Sequence, residues 1–336
     1  MKFRLHQKTE GNHPERALLL GPLGLLACQK KTWSPRLLPG VLLRALANPE
    51  CFREILRVLV LPECAELART FPRFPFKLLT HDYLARSFTV ETRASCFVHH
   101  YLWLHENMPN KFIRSVLYDS VPLADIDIAT HHIGFVLGSC GSRDKEGELS
   151  LHLEMDRDRV FSLSFSIVPG KAVQAQADNV LLITQIQGMR GKVHQISLIY
   201  RIMHGAGPPS LLLSALQGFG SALGIDTLAC VSGQEQSSYC EGNARSFQAM
   251  YDDFCTVRGL ARGSSGLFLA PIPMPEKPLE LFPKPSLKRR AERRRELKRL
   301  IRETIREALR AVRRGSQSGL QQIHIDSEPS QVAPTA

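Results

Sequence analysis

A glycine-rich stretch in the middle of the chain has the residue types needed to bind an anion. It reads Gln185-Ile-Gln-Gly188-Met-Arg190-Gly191-Lys192 and lies between a run typical of a β-strand and a run typical of a helix. Glycines let backbone amides and a helix N-terminus converge on one anionic group, and the two basic side chains add positive charge. The stretch therefore predicts a phosphate or pyrophosphate site, and the alternative is a tight strand-to-helix turn.

The residues before this stretch show the two-residue period of β-strands. Hydrophobic residues alternate with Ser, His and Glu over 149–155 and, after a polar turn, over 161–167. This pattern predicts a β-hairpin with one buried face. Similar runs at 132–138 and 180–187 extend the hairpin to an antiparallel meander of about four strands.

Helical periodicity flanks the predicted sheet on both sides. Apolar residues at three- and four-residue spacing predict an N-terminal helical layer. Its helices are expected at 41–47, 51–59, 65–71 and 87–106. After the glycine-rich stretch, helices are expected at 193–203, 208–223 and 243–255, and strands at 227–231 and 266–270. The sequence thus predicts a soluble α+β protein, in which the β-meander is followed by a mixed α/β region.

The order of hairpin, strand, glycine loop, helix, short strand, helix and final strand resembles the acyl-CoA N-acyltransferase superfold. In that superfold, a QxxGxG/A loop after the fourth strand holds the pyrophosphate of coenzyme A. Gln185 and Gly188 match this loop, whereas Gly191 falls one residue late. The resemblance implies coenzyme A or acyl-CoA as the cofactor, bound at Gln185, Gly188, Arg190, Gly191 and Lys192.

The same resemblance implies candidate catalytic residues. Tyr251, on the helix after the short strand, is placed like a general acid. Glu146 or Glu148, at the start of the hairpin, could serve as the general base. A half-buried core tyrosine is the alternative interpretation of Tyr251.

Several short segments are similar to the VirK/YbjX family of uncharacterised, virulence-associated bacterial proteins. They are Arg93 with His100-Tyr101, the segments 145–149, 161–165 and 183–188, and a late Arg-rich run. The similarity extends over roughly residues 17 to 310. It implies a protein of Gram-negative bacteria connected with envelope integrity, resistance to cationic antimicrobial peptides or virulence. The family pattern has Pro-Arg where this chain has Pro209-Ser210, so one anion-binding charge is absent.

Most of the positive charge lies near the C-terminus. Residues 284–314 carry 14 Lys and Arg and four Glu, which accounts for ten of the eleven net positive charges. A separate amphipathic helix is predicted here, with an apolar stripe of Leu297, Ile301, Ile305, Ala308 and Val312. Its basic face is expected to contact anionic inner-membrane lipid or nucleic acid, or to remain solvated while the stripe packs on the body. The arginines expected at such a lipid surface are Arg289, Arg290, Arg293, Arg294 and Arg295.

Five regions are predicted along the chain. They are an N-terminal helical region (1–130), a sheet-containing acyltransferase-like region (131–275), a Pro-rich linker (276–286), the basic helix (287–314) and a disordered tail (315–336). No apolar run is long enough to span a bilayer, which favours a cytoplasmic protein, either free or peripheral at the inner membrane. The segment ending in Cys28 is similar to a lipoprotein cleavage box, but the acidic residues before it favour a buried segment.

The cysteines and histidines give no clear metal signature. Eight scattered cysteines without a CxxC pair predict reduced thiols. A closely spaced group is expected to consist of packing residues rather than zinc ligands. Its members are Cys96, His99, His100, His105 and Glu106. Two functions therefore remain: an acyltransferase that uses acyl-CoA, and a non-enzymatic protein that binds anionic lipid or nucleic acid through its basic helix.

Overall fold

The fold is described from a computed structural model, which covers residues 43, 47–71, 74–79, 83–128, 130–140, 146–263, 265–315 and 321–324. The predicted buried segment that ends in Cys28, and most of the predicted helix 41–47, lie outside these residues.

Helices form the N-terminal part of the described chain. They are α1 (Pro49–Leu59), α2 (Pro62–Thr70), a 3-10 turn (Phe74–Leu79), α3 (Val90–Asn107) and α4 (Asn110–Tyr118). Prolines open α1 and α2, where a missing amide proton costs nothing. The Oγ1 atom of Thr89 accepts a 3.2 Å hydrogen bond from the amide of Thr92 and so caps α3. Helix α4, which follows Pro109, is an element that the sequence pattern did not predict.

Five strands form an antiparallel meander in the middle of the chain. They are β1 (Val121–Ile128), β2 (His131–Ser139), β3 (Leu149–Met155), β4 (Asp158–Pro169) and β5 (Asn179–Gly188). The sequence predicts about four strands for this meander, one fewer than the structure has. Strand β1 was missed because it carries a proline and two aspartates, residues that are depleted in strands. Both aspartates pair with His132 on β2, at 3.1 Å from Asp125 and 2.9 Å from Asp127.

The remaining elements are helices and four further strands, and these strands extend the sheet at both edges. They are α5 (Val193–Ile202), α6 (Pro208–Leu223), β6 (Thr227–Cys230), α7 (Ala244–Phe247), a π-helical turn (Gln248–Asp252), α8 (Asp253–Val257), β7 (Ala261–Arg262), β8 (Phe268–Pro271), α9 (Pro285–Arg313) and β9 (Gln321–His324). The strand order is β7-β8-β6-β5-β4-β3-β2-β1-β9, with β6 parallel to β5 and β9 parallel to β1. The predicted α+β class is thus confirmed. The tail predicted to be disordered contains strand β9, and its other residues from 316 onward lie outside the described part.

Both faces of the central strands are buried, so the prediction of one buried face is wrong. Leu151 and Leu163 on one face are inaccessible, and Ser162 and Ser164 on the other face are also buried. Helix α6 packs on the apolar face, where the rings of Phe165 and Phe219 meet edge to face at 5.2 Å. The alternation of residue types assigned apolar and polar residues to opposite faces correctly. It does not show that other elements of the fold also cover the polar face.

The buried imidazole of His152, on the polar face of β3, should make stability depend on pH. Burial, together with the charge of Arg159, lowers its pKa from 6.5 to about 3. The unfolded chain therefore binds a proton between pH 6.5 and about 3 that the folded protein does not. Stability is expected to fall through this window as the pH is lowered, by up to about 1.4 kcal/mol per pH unit.

Urea unfolding at pH 7.5 and at pH 5.0 would measure this effect. In His152→Gln, the loss of stability between the two pH values should be smaller than in the wild type by about 1 to 2 kcal/mol. Equal losses in the two proteins would show that His152 does not contribute.

Helix α9 packs its stripe against the body, which confirms that one of the predicted alternatives is correct and that the helix is not separate. Four residues of its apolar stripe are buried, Val312 is partly buried, and α6 is the main partner of the helix. The two helices approach closely at Gly218, where an added Cβ would lie 2.6 Å from the carbonyl oxygen of Arg302. The Pro-rich linker contacts helix α9, because the carboxylate of Glu276 lies 3.4 Å from the ammonium of Lys298.

Candidate functional site

Two neighbouring parallel strands separate near the centre of the sheet. Strands β5 and β6 pair from Leu181 to Ile183, and the amide of Val231 donates the last bond to the carbonyl oxygen of Ile183, at 3.0 Å. Beyond this point β5 continues to Gly188 and pairs only with β4. The β6-facing edge of residues 184–188 therefore presents backbone groups that none of the described strands covers.

A cleft of about 410 Å³ opens beside this edge. It lies between the end of β5, the start of α6 and the helical residues 249–258. Its walls are mostly apolar, and a single guanidinium lies at one side. Residues that define it are Phe161, Ile186, Gly188, Met250, Phe254 and Arg258.

Arg258 is the cation of this cleft. Its guanidinium lies 3.7 Å from the centre of the Phe254 ring and donates a 3.0 Å hydrogen bond to the hydroxyl of Ser210. Burial lowers the pKa of Arg258 to about 10, which leaves the group charged at neutral pH. The sequence analysis missed Arg258, because only the tertiary structure brings it to the start of α6.

The glycine-rich stretch lies at one end of the cleft. A Cβ at Gly188 would lie 3.1 Å from the Ile196 side chain and 3.3 Å from the Phe161 ring, so the close approach of α5 to the sheet favours glycine. Gly191 has φ +79°, a conformation that glycine adopts without strain. Helix α5 begins two residues later without a side-chain cap, which leaves the amides of its first turn free to bind an anion.

The two basic residues of this stretch differ in their surroundings. Arg190 is exposed and makes no ion pair with a described residue. The ammonium of Lys192 pairs with the carboxylate of Asp158 at the start of β4. Part of the charge assigned to the anion site is therefore already neutralised, and Arg190 is the side chain available to a ligand.

Glu146 and Tyr251 both lie close to the uncovered edge of β5. The carboxylate of Glu146 accepts hydrogen bonds from the side chain of Gln185 and, at 2.9 Å, from the hydroxyl of Ser237. The hydroxyl of Tyr251 accepts a 3.4 Å hydrogen bond from the amide of Ile186. Gln185, predicted to hold a cofactor, thus fixes the carboxylate of Glu146.

Tyr251 is a buried residue that keeps its proton. Burial raises the pKa of its phenol, and the negative charge of Glu146 adds to the rise. The ring stacks on Phe247 with centroids 5.8 Å apart. Because its oxygen accepts the Ile186 amide proton, the hydroxyl proton is left to be donated elsewhere.

Glu148 belongs to a different cluster. It is 2% exposed, and its carboxylate accepts hydrogen bonds from Lys77 at 2.6 Å, from Tyr101 at 2.5 Å and from Tyr83. Burial and the neighbouring carboxylate raise the pKa of both tyrosines well above its ordinary value. The structure thus separates the two carboxylates proposed as bases: Glu146 lies beside the opened strand, and Glu148 joins the helical layer to the sheet.

The histidines considered as zinc ligands have separate partners. His99 bonds the side chain of Asn179 at 2.9 Å, and His105 bonds the carboxylate of Glu63 at 2.8 Å. The Nδ1 atom of His100 accepts a 3.0 Å bond from the amide of Ile167, and burial lowers its pKa well below the ordinary value. Among the described residues, no group of His, Cys, Asp and Glu could hold a metal ion. The seven described cysteines are free thiols, of which Cys240 is exposed.

The chain matches a family model over residues 41–306, and the family is described as Protein of unknown function (DUF535). The chain belongs to this family. The DUF535 match includes strands β1 to β8, the cleft, both carboxylate clusters and most of α9. No curated protein and no solved structure matches the chain. None of the helices described in the structure has the length and apolar character needed to cross a bilayer.

Proposed function

We propose that this DUF535 protein is an acyltransferase that uses acyl-CoA. The observation that carries the proposal is the separation of the parallel strands β5 and β6 beside a mostly apolar cleft, with a glycine-rich loop and a helix N-terminus at its end. In the acyl-CoA N-acyltransferase superfold, which the element order resembles, a loop after the corresponding strand holds the cofactor pyrophosphate.

The residues at the cleft fit such a cofactor. The first-turn amides of α5 and the side chain of Arg190 would bind its pyrophosphate, and the apolar walls would contact the flexible arm. Arg258 would add a second positive charge near the start of α6, where this chain has Ser210. When bound, acyl-CoA supplies a thioester whose acyl group can pass to an amine or a hydroxyl.

Two side chains would handle protons in this reaction. Glu146 is a carboxylate held by Gln185 and Ser237, and it could accept a proton from the attacking amine or hydroxyl. Tyr251 retains its proton at neutral pH and could donate it to the leaving thiolate. Burial of Glu148 among Lys77, Tyr83 and Tyr101 supports a structural role for that residue.

We further infer that the acceptor of the acyl group belongs to the bacterial envelope. The similarity of several segments to VirK/YbjX proteins supports a role in envelope integrity, antimicrobial-peptide resistance or virulence. Acylation of an amine removes a positive charge, and acylation of a hydroxyl adds apolar surface. Either change in an envelope component would alter its interaction with cationic peptides.

Thermal unfolding with coenzyme A and a panel of acyl-CoAs tests the cofactor. A ligand at 100 times its dissociation constant should stabilise the wild-type protein by about 2.7 kcal/mol. Gly188→Val should abolish this stabilisation, because a side chain there displaces Ile196 and Phe161 and shifts the start of α5.

The matched control is Gly242→Val, since an added Cβ at Gly242 meets no atom within 4 Å. It should retain the full stabilisation by the cofactor. A wild-type protein that none of these compounds stabilises would overturn the acyltransferase proposal.

A further inference from the structure

A second cleft, of about 400 Å³, lies between the end of α5 and the start of α9. Its lining comes from two elements that are far apart in the sequence, and it is strongly basic. The residues are Arg201, His204, Ser286, Arg289, Arg290 and Arg293. Four guanidiniums therefore surround one concave surface, away from the glycine-rich stretch at the other end of α5.

The arginines of this basic cleft differ from several basic residues of α9 in forming no ion pair with a described carboxylate. Among the described residues, none of the four forms an ion pair with a carboxylate. On another face of the helix, Glu276 lies 4.0 Å from Arg295 and 3.4 Å from Lys298. Arg299 is held by two glutamates of its own helix. The cleft thus brings together four guanidiniums that no carboxylate of the described residues pairs with.

The backbone beside the cleft is shaped to hold one of these arginines. The Nε atom of Arg290 donates a 3.0 Å hydrogen bond to the carbonyl oxygen of His204, and its guanidinium lies 5.7 Å from the ring centre of Tyr200. His204 and Gly205 both have positive φ, at +52° and +82°. A Cβ at Gly205 would lie 2.5 Å from the Arg290 guanidinium, so a side chain there would displace the guanidinium.

We propose that the basic cleft binds a phosphate monoester group. Guanidinium groups bind the oxygens of phosphate through paired N–H donors, and a doubly charged anion matches several of them at once. The surrounding charge also raises the local concentration of such anions. This site is separate from the acyl-CoA cleft and does not depend on acyl transfer.

The experiment uses the full chain and two probes. Thermal unfolding is followed with inorganic phosphate at constant ionic strength, adjusted with chloride. Sedimentation is followed with vesicles of phosphatidylcholine alone and of phosphatidylcholine with phosphatidate. The wild-type protein should either be stabilised by phosphate or sediment only with the vesicles that contain phosphatidate. Stabilisation by phosphate indicates that the ligand is a soluble phosphate ester. Sedimentation with phosphatidate vesicles indicates that the ligand is a lipid headgroup.

Two double variants that remove equal charge distinguish binding at the cleft from non-specific electrostatic attraction. Arg201→Gln with Arg293→Gln removes two cleft guanidiniums that make no hydrogen bond to a described residue. The double variant should weaken binding of the effective probe at least about tenfold, or about 1.4 kcal/mol. Arg310→Gln with Arg314→Gln removes the same charge from exposed positions at the other end of α9 and should change binding less than about twofold. Equal weakening in both pairs, or a wild-type protein that binds neither probe, would overturn the proposal.

Discussion

Replacing Glu148 by alanine is expected to lower the free energy of unfolding by about 3 to 5 kcal/mol. The carboxylate receives hydrogen bonds from Lys77, Tyr83 and Tyr101 in a site that excludes water. Its removal takes away the buried carboxylate that pairs with the Lys77 ammonium and accepts hydrogen bonds from two phenols. Urea unfolding at pH 7 and 25 °C measures the change.

The control for Glu148 is an ion pair at the surface. Glu50 and Arg53 on α1 lie 2.9 Å apart, with both side chains more than two-thirds exposed, and Glu50→Ala should cost at most about 1 kcal/mol. The double variant Lys77→Met with Glu148→Leu should be more stable than Glu148→Ala, because it leaves no unpaired charge. A loss below 1 kcal/mol in Glu148→Ala would contradict the assignment of a structural role.

Tyr251→Phe and Glu146→Gln are each expected to lower kcat for acyl transfer by about 10² to 10⁴. Phenylalanine keeps the stacking on Phe247 but has no proton to donate. Glutamine keeps the shape of Glu146 but cannot accept a proton. The measurement is release of free thiol from acyl-CoA in the presence of a panel of amine and hydroxyl acceptors.

The control for the tyrosine is Tyr239→Phe, which removes a hydroxyl from the same neighbourhood. The Tyr239 ring meets Phe247 edge to face, and its hydroxyl makes no hydrogen bond to a described residue. This variant should keep at least half of the wild-type kcat. Tyr251→Phe should still be stabilised by coenzyme A, which separates loss of chemistry from loss of binding. Wild-type turnover in both Tyr251→Phe and Glu146→Gln would show that neither acts on the reacting groups.

Local periodicity predicted much of the sheet. Residues 149–155 and 161–167 alternate cleanly, and the structure has strands β3 and β4 there. Strand β1 was missed because Pro122, Asp125 and Asp127 are residue types that are uncommon in strands. In the structure, β1 pairs with β2, and both aspartates contact His132. The covering of the polar face depends on contacts between distant segments, which a two-residue period does not contain.

The candidate site was predictable only in part. The glycine-rich stretch has a local signature, since its spacing and basic residues are adjacent in the chain. The partners of Glu148 lie 47 to 71 residues before it, and no motif links them. The bond between Gln185 and Glu146 spans 39 residues and likewise appears only when the fold brings the segment before β3 close to β5. Sequence reasoning thus found candidate residues but could not divide them between catalysis and folding.

The packing of α9 against α6 affects the order in which the chain can fold during its synthesis. Helix α6 ends at Leu223, whereas the residues of α9 that cover it extend to Leu309. At about 5 to 20 residues per second, a ribosome needs roughly 4 to 17 s to add the intervening segment. During that interval the surface of α6 that α9 later covers has no α9 to pack against and is open to a chaperone that binds nascent chains.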